Sequence, residues 1–374
     1  MEENNVQKPK KGMSLICFIA IGIVLIILVF VGINAVIGNK ESEISYDENG
    51  DIVDVNDTYE EDSEEDDDKK TSKSKYDGTV AYGTETEFEA PKFEIPEKAE
   101  EGKWFEDGED TWYYDLDADG NAINVCGYLY SFTGDVIIPD TIDGHKVISI
   151  GDDMNMSGTS FFDKSINSEL YWNTITSITV PDGVKYINDD TFYGLENLES
   201  ITLPDSVIYL GDDAFAFCKK LSRMNSENDG EFILPKNIEY LGRDLFRACS
   251  KLGKIEFPKN INYINKYMFS DCSDLKEFTV TDNIEHICDG AFADAGLEKI
   301  TIGKNLKTIG WMSFYSTMLE EIELPNTVES IDNQAFYFSQ LKKFVYNGKL
   351  KYIGTGVFDY TELENPIRDS QLPK

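Results

Sequence analysis

The sequence predicts a solenoid of stacked β coils, and its spacing of aromatic and aliphatic residues carries this prediction. A phenylalanine recurs in the second half of the chain at Phe192, Phe215, Phe246, Phe269, Phe292, Phe314, Phe336 and Phe358. The intervals are 23, 31, 23, 23, 22, 22 and 22 residues. Each interval also contains two short segments with alternating apolar residues. A period in the twenties is typical of repeats that bury their apolar faces only against neighbouring repeats.

Each repeat contains two predicted strands. The first reads Leu-x-x-Ile-x-Leu, as at Leu319, Ile322 and Leu324, and the second reads Val-x-x-Ile, as at Val328 and Ile331. Residues two apart lie on the same side of a strand, so these aliphatic residues face the coil interior together with the phenylalanine. We therefore predict a mostly β solenoid with short helical or irregular turns and about eight coils of 22–23 residues.

Two irregularities interrupt the predicted coils. The interval of 31 residues is a normal period plus an eight-residue insertion around Asn225–Phe232. Near the start, Asn155 stands five residues after Ile150, where the pattern calls for phenylalanine. The first coil is therefore predicted to be degenerate, with Phe161 or Phe162 as a substitute for the buried ring.

The repeat motif resembles the BspA-like (treponemal, type 5) leucine-rich repeat family. The signature Leu-x-x-Ile-x-Leu-Pro-x-x-Val-x-x-Ile-x-x-x-Ala-Phe-x-x-Cys is readable from about Thr176 onwards. A block from Trp112 to Gly151 is similar to the entry segment of that family. The resemblance implies a leucine-rich-repeat solenoid in a membrane-anchored cell-surface protein that binds other macromolecules. It implies no particular ligand, because a fold does not determine a function.

The N-terminal region contains a predicted membrane anchor. Residues 14–38 carry no charge and are mostly aliphatic, and about 20 such residues suffice to cross a bilayer as a helix. Three lysines precede this segment, whereas only Lys40 follows it before Lys69. The bias predicts a single-pass plasma-membrane protein with a cytoplasmic N-terminus and extracellular repeats. A cleaved signal peptide is the alternative, but the apolar segment is too long, and Asn-Ala-Val-Ile at 34–37 is a poor cleavage site.

An acidic segment separates the predicted anchor from the repeats. Between Glu41 and Asp68 there are 15 carboxylates and no lysine or arginine, which favours a disordered spacer. A low-affinity cation site is the alternative, although the spacing of a calcium loop is missing. The net charge of −36 argues against nucleic-acid binding. The predicted regions are a cytoplasmic N-terminus (1–13), a transmembrane helix (14–38), an acidic disordered linker (39–103), a β entry segment with the degenerate coil (104–172) and the solenoid (173–374).

Residues suited to catalysis or metal binding are sparse. His145 and His286 are the only histidines and neither lies in a partner motif for zinc or for a serine nucleophile. The segment Asp115–Gly120 imitates the start of a calcium hand, but Cys126 occupies the position of the required glutamate. We predict a turn there, with Gly120 at positive φ. The sequence thus predicts no catalytic residue, no metal, no cofactor and no enzyme.

Three cysteines share one position of the repeat. Cys218, Cys249 and Cys272 each follow a repeat phenylalanine by three residues. Neighbouring coils bring equivalent Cα atoms to a distance that a disulfide permits, but stacked side chains point in parallel and suit the bond poorly. Buried thiols are therefore favoured over disulfides.

A row of tyrosines is the candidate ligand site. The residue before the buried aliphatic residue of the second strand is predicted to face outwards, and it is a tyrosine at Tyr186, Tyr209, Tyr240, Tyr263 and Tyr352. Tyrosine suits recognition surfaces because it combines a rigid apolar ring with a polar tip. The alternative is that the stacked rings only stabilise the sheet. The outward side of the first strand has mixed charge and indicates no ligand.

These features predict a non-catalytic surface protein whose extracellular ligand is a protein or a glycan, with a role in adhesion or interaction. A structural envelope scaffold or spacer without an external ligand is the first alternative. An unrecognised surface hydrolase, with a site in the irregular residues 157–172, is the second.

Overall fold

The computed structural model describes residues 45–46, 52–53, 81–83, 88–108, 110–127, 133–151, 174–363 and 366–373. The predicted cytoplasmic segment, the anchor at 14–38, most of the acidic linker, and the candidate rings Phe161 and Phe162 lie outside these residues. No helix among the described residues has the length and apolarity that a membrane crossing requires.

The chain forms two units, Met1–Lys70 and Thr71–Lys374. In the first unit, β1 (Ser45–Tyr46) pairs antiparallel with β2 (Ile52–Val53). In the second unit, β3 (Tyr82–Gly83) is the first strand that the structure describes.

An antiparallel sheet forms the entry to the solenoid. It consists of β4 (Glu100–Asp107), β5 (Asp110–Leu116) and β6 (Ala122–Gly127). The predicted turn between the last two strands is confirmed: Gly120 has a φ of +79°, and the Asp117 carboxylate accepts hydrogen bonds from the backbone N–H groups of Asp119 and Asn121. β6 then pairs in parallel with the first coil and places the entry sheet on the end of the stack.

Each coil contributes one strand to each of two faces. The A strands follow the Leu-x-x-Ile-x-Leu motif and are β7 (Gly134–Ile137), β11 (Ile175–Thr179), β13 (Ser200–Thr202), β15 (Arg223–Met224), β16 (Glu231–Ile233), β18 (Lys254–Glu256), β20 (Glu277–Val280), β22 (Lys299–Ile302), β24 (Glu321–Leu324) and β26 (Lys343–Tyr346). The B strands follow the Val-x-x-Ile motif and are β10 (Ser149–Ile150), β12 (Tyr186–Ile187), β14 (Tyr209–Leu210), β17 (Tyr240–Leu241), β19 (Tyr263–Ile264), β21 (His286–Ile287), β23 (Thr308–Ile309), β25 (Ser330–Ile331) and β27 (Tyr352–Ile353). A small hairpin, β8 (Thr141–Ile142) and β9 (His145–Lys146), lies before the first B strand.

The predicted solenoid is confirmed, with about nine turns instead of eight. The additional turn contains β10, in the region that the sequence predicted to be degenerate. The described connections between strands are turns, and one short 3₁₀ helix, Asp369–Gln371, lies near the C-terminus. Pairing along each face is parallel and in register, so equivalent residues of successive coils lie opposite each other.

The predicted insertion forms an additional A strand. β15 and β16 belong to the same interval between phenylalanines, yet both lie in the A face, where Met224 pairs with Phe232. The reason is that Leu221 and Met224 match the first two apolar positions of the first-strand motif, whereas Phe232 and Leu234 match its last two. The A face thus gains a strand that the B face lacks. After the next coil, the hydrogen-bonded ladder is interrupted on both faces, between β17 and β19 and between β18 and β20.

The eight repeat phenylalanines form one continuous stack through the core. Their ring centroids lie 5.2–6.1 Å apart in successive coils, and every neighbouring pair is close to parallel. All eight are buried. The stack therefore joins the coils through the interior, as the sequence predicts.

The three repeated cysteines line this stack as thiols rather than disulfides. Each Sγ donates to the backbone carbonyl of the repeat phenylalanine in the preceding coil, at 3.2 Å for Cys218, Cys249 and Cys272. Burial raises the pKa of the Cys249 and Cys272 thiols. The prediction of buried thiols is confirmed.

A strap, defined as residues 81–83 and 88–99, runs over the B face. At one end, β3 pairs antiparallel with the last B strand, β27. At the other end, the backbone N–H of Ala99 donates to the Leu116 carbonyl at 2.8 Å. The prediction of a disordered linker as far as residue 103 is therefore wrong for these residues. Composition indicated disorder, but two phenylalanines of the strap pack onto a face that the coils provide.

The C-terminal residues cover the end of the A face. Ile367 and Leu372 are buried, and the backbone N–H of Leu350 donates to the Gln371 carbonyl at 2.9 Å. The Tyr346 hydroxyl donates to the Val328 carbonyl at 2.7 Å. The last coil is thus capped on the A face by the C-terminal residues and on the B face by β3.

We predict that Phe292→Ala lowers the free energy of unfolding by about 3–5 kcal/mol, because it opens a cavity in the middle of the buried ring stack. The Phe292 ring lies 5.5 Å from both the Phe269 and Phe314 rings. Urea denaturation followed by circular dichroism measures the change. The exposed Lys299→Ala is the control and should change stability by less than about 0.5 kcal/mol. Equal stability of the two variants would contradict a core stack.

Candidate interaction surface

The predicted tyrosine row exists, but most of it is not open to solvent. Tyr209 pairs with Tyr240 across adjacent B strands, and their rings stack at 4.9 Å. Tyr209, Tyr263 and Tyr352 are only 8%, 2% and 5% exposed, whereas Tyr186 and Tyr240 are partly buried. The row faces away from the coil interior, but the expectation that it is an open surface is wrong for Tyr209, Tyr263 and Tyr352, which are covered. The stacking of neighbouring rings, which is the alternative role predicted for the row, is present between Tyr209 and Tyr240.

The strap covers the centre of this row. The ring of Phe88 stacks on His286 at 3.8 Å and 8° and lies 5.7 Å from Tyr263. Phe93 lies 5.2 Å from Tyr209 and 5.9 Å from Tyr240. Both phenylalanines are partly buried by these contacts.

Burial shifts the pKa of two groups that lie beside Phe88. It raises the pKa of the Tyr263 phenol to about 12 and lowers the pKa of His286. His286 Nδ1 also lies 2.9 Å from the Thr308 hydroxyl. His286 thus packs under the Phe88 ring with one ring nitrogen beside the Thr308 hydroxyl.

The A face carries mixed charge that is largely neutralised between coils. Lys254 lies 3.2 Å from Glu231, and Lys343 lies 2.9 Å from Glu321. A cleft of about 960 Å³ lies where no ladder joins β22 to β24 in the described structure. Its rim includes the side chains of Lys299, Glu323 and Lys343. Because lysines and glutamates alternate there, the cleft favours neither an anion nor a cation.

A third surface lies along the edge formed by the turns after the buried phenylalanines. Near the C-terminal end this edge carries an aromatic cluster, the edge patch, consisting of Tyr315, Tyr337, Phe338 and Tyr360. The rings of Phe338 and Tyr360 stack in parallel at 4.5 Å, and the Tyr337 ring packs edge-on against both at 4.9 and 5.1 Å. Phe338 is 50% and Tyr360 69% exposed, so the cluster presents aromatic surface to solvent.

The edge patch is held in a costly backbone conformation. Phe338 and Tyr360 have φ values of +60° and +59°, a region that bulky residues rarely adopt. Asp271 and Asp294 occupy the equivalent position in other coils, with φ values of +60° and +55°. Aspartate tolerates this conformation better than an aromatic residue, whose strain is of the order of 1–3 kcal/mol. Phe217 has the same conformation in an earlier coil, at +61°, but it packs against Tyr193 and Arg247. Phe338 and Tyr360 differ from it because they combine the strain with exposure.

The sequence analysis did not predict the edge patch, although the positions of its residues in the repeat can be read from the sequence. The patch residues stand one or two positions after the buried phenylalanines of the last three coils. Those positions lie beyond both strands, and the left-handed backbone that turns these side chains outwards follows from the coil geometry. Alternation along the chain identifies outward residues only within strands.

A row of aspartates lies on the same edge, two positions before the buried phenylalanines. Asp190, Asp213 and Asp244 all have positive φ. Burial, followed by the nearby charges of Asp244 and Asp190, raises the pKa of Asp213 to about 7. Burial also raises the pKa of Asp244 to about 6 against the opposing effect of Arg247 and Arg243.

The described residues contain no group of three or more histidine, cysteine, aspartate or glutamate side chains placed to hold a metal ion. The two histidines lie in separate environments, since His145 Nδ1 is 2.8 Å from the Gly120 carbonyl in the entry sheet. What the surfaces offer chemically is therefore packing area and hydrogen bonds.

A family model for the BspA type leucine-rich repeat region matches six copies in this chain, over residues 164–298 and 272–373. Together these ranges make up more than half of the sequence. A search of curated proteins found no match.

Solved leucine-rich repeat structures are also similar to this chain. One, from Bacteroides ovatus ATCC 8483, is 19% identical, with 72% of this chain and 80% of the other covered and a TM-score of 0.41. Another, from T. pallidum, is 21% identical, with 70% and 89% covered and a TM-score of 0.37.

The raised pKa of Asp213 gives a pH prediction. A carboxyl with a higher pKa in the folded chain (about 7) than in the unfolded chain (about 4) disfavours folding increasingly as pH rises between these values. Asp213→Asn removes this penalty, and asparagine tolerates positive φ. We expect thermal unfolding at pH 8 to show a gain of about 1–2 kcal/mol, discounted for the partial exposure of the group. At pH 4 we expect no gain, and a gain independent of pH would contradict this explanation.

Glu231 supplies a control of opposite sign. Hydrogen bonds from Asn228, Ser226 and Lys254 lower its pKa to about 2. Glu231→Gln should therefore reduce thermal stability at pH 7, and the loss should disappear as pH falls towards 2.

Proposed function

Since this chain belongs to the BspA-type leucine-rich repeat family, whose repeats are typical of surface proteins that interact with other proteins, we propose that it is a non-catalytic binding protein displayed outside the cell. The edge patch is the proposed contact surface, and a protein is the proposed ligand. The observation that carries this assignment is the exposed, strained stack of Phe338 and Tyr360.

The chemistry of the edge patch favours a protein ligand. Exposed tyrosine and phenylalanine bury much area at low cost in side-chain entropy, and aromatic residues are enriched in the centres of protein interfaces. The parallel stack covers one face of both the Phe338 and the Tyr360 ring. A sugar ring, which packs on an open aromatic face, would have a smaller platform here than an apolar side chain. A glycan is therefore the alternative ligand.

The sequence before the solenoid supports the proposed location. The apolar residues 14–38 are long enough for one membrane crossing, and the lysines that precede them favour a cytoplasmic N-terminus. The acidic segment that follows is suited to hold the solenoid away from an anionic membrane surface.

We predict that Phe338→Asn combined with Tyr360→Asn abolishes ligand binding without unfolding the protein, because asparagine tolerates the left-handed backbone but removes both rings. Loss of two central aromatic contacts should reduce retention at least tenfold. Retention is measured with cells that display the full chain, on arrays of immobilised extracellular proteins and glycans.

Phe217→Asn is the matched control, since Phe217 has a φ of +61° at the equivalent position of an earlier coil. The control should retain the wild-type signal. Equal retention by the double variant would show that the edge patch is not the contact surface. Retention on glycans alone would replace the protein ligand by the alternative. A wild-type chain that copurifies with envelope proteins and binds no array component would favour a structural scaffold.

We also predict the orientation of the chain in the membrane. With one tag before residue 1 and another after residue 374, protease added to intact cells should remove the C-terminal tag and leave the N-terminal tag intact. Both tags are scored by immunoblot, with permeabilised cells as the control for accessibility. Recovery of the chain in the medium without its N-terminal tag would instead indicate a cleaved signal peptide.

A further inference from the structure

We propose that the covered tyrosine face is a second binding surface, a groove for an extended polypeptide that carries two aromatic residues five positions apart. The strap is its resident occupant and can be displaced. The groove consists of the rings of Tyr209, Tyr240, Tyr263 and His286 together with the edge of β27. The inference does not depend on the edge patch, which lies on a different surface.

The strap occupies the groove as a bound peptide would. The Phe88 ring packs on His286, and the Phe93 ring packs against Tyr240. β3 adds an antiparallel strand to the open edge of β27. Five residues of extended chain span at most about 17 Å, which is sufficient to reach across two to three coils at about 4.8 Å each. Peptides are commonly recognised by strand addition to a sheet edge, together with pockets that bind their side chains.

The groove belongs to the solenoid and not to the strap. The outer B strands of the groove pair with their neighbours, as Tyr209 does with Tyr186 and His286 with Thr308. In its middle, where no ladder joins β17 to β19, the buried ring stack connects the two coils. Tyr209 also donates from its hydroxyl to Asp189 at 3.1 Å. Displacement of the strap would therefore expose a preformed aromatic surface rather than unfold the coils.

The strap itself is held by few contacts. Its strand pairing involves two residues, Tyr82 and Gly83. No strap residue whose burial the structure describes is fully buried. Near its other end, Lys98 lies 3.9 Å from the buried carboxylate of Asp115. Segments with few buried apolar groups open at low free-energy cost.

A competing peptide must overcome the advantage of a tethered occupant. A covalently linked segment acts at an effective concentration of the order of millimolar, so a peptide of equal intrinsic affinity binds the wild-type chain weakly. Removal of the two aromatic anchors from the strap should remove this competition.

The test uses the full chain and a fluorescent peptide with the sequence of residues 81–99. The variant Phe88→Ser with Phe93→Ser should bind the peptide at least tenfold more tightly than the wild-type chain, as measured by fluorescence anisotropy. A peptide carrying the same two serines should not bind. Adding Tyr209→Ser and Tyr240→Ser to this double variant should abolish binding, because these changes remove the two rings that contact Phe93.

A second variant tests the proposal independently, in case the first one does not fold. A Cβ at Gly83 would lie 1.8 Å from the Lys351 carbonyl oxygen, so Gly83→Val displaces β3 and leaves both aromatic anchors in place. This variant should bind the peptide with an affinity between those of the wild-type chain and the double variant. If both variants keep the wild-type circular dichroism spectrum and bind no more peptide than the wild-type chain does, the groove is not a peptide site. Equally tight binding by the wild-type chain and both variants would show that the peptide binds elsewhere, and would also overturn the proposal.

Discussion

The stacking of one coil on the next is the constraint on which the rest of this protein depends. Parallel pairing places equivalent residues about 4.8 Å apart, and the 5.2–6.1 Å spacing of the buried rings follows from it. Each choice of residue is therefore repeated as a row. The repeated phenylalanines form a continuous buried stack, and the repeated cysteines form a row of thiols that donate to backbone carbonyls. An aspartate becomes a row of carboxylates, and its members raise each other's pKa, as Asp213 shows. Repetition thus multiplies stabilising and destabilising contacts alike.

The features that follow this period could be predicted from the sequence. The buried ring at Phe292, the thiol at Cys249 and the stacking of Tyr209 on Tyr240 are consequences of register, and a register of 22 or 23 residues is readable without coordinates. The additional A strand was partly readable, because Phe232 repeats the role of Met224. The eight-residue insertion is visible in the spacing of the phenylalanines, but its length alone does not show whether the inserted residues form a loop or a further strand of the A face.

The features that do not repeat could not be predicted in this way. Contact between Phe88 and His286 joins distant residues through a segment without periodicity, whose acidic composition is typical of disorder. Such a segment needs no core of its own, because the B face already presents aromatic rings. The outward turn of Phe338 was hidden for a different reason. Positive φ is expected at glycine, asparagine or aspartate, and an aromatic residue gives no local sign of it.

The combination of strain and exposure at the edge patch argues that its rings serve a purpose other than stability. The coil requires a left-handed residue at this position, and Asp271 and Asp294 meet the requirement at lower cost. The rings of Phe338 and Tyr360 recover part of their cost by stacking, but their exposure means that little apolar area is buried within the chain. A partner that covers these rings would bury that area. The net charge of −36 repels acidic partners at long range, so recognition of a neutral or acidic partner would depend on short-range contacts such as these rings.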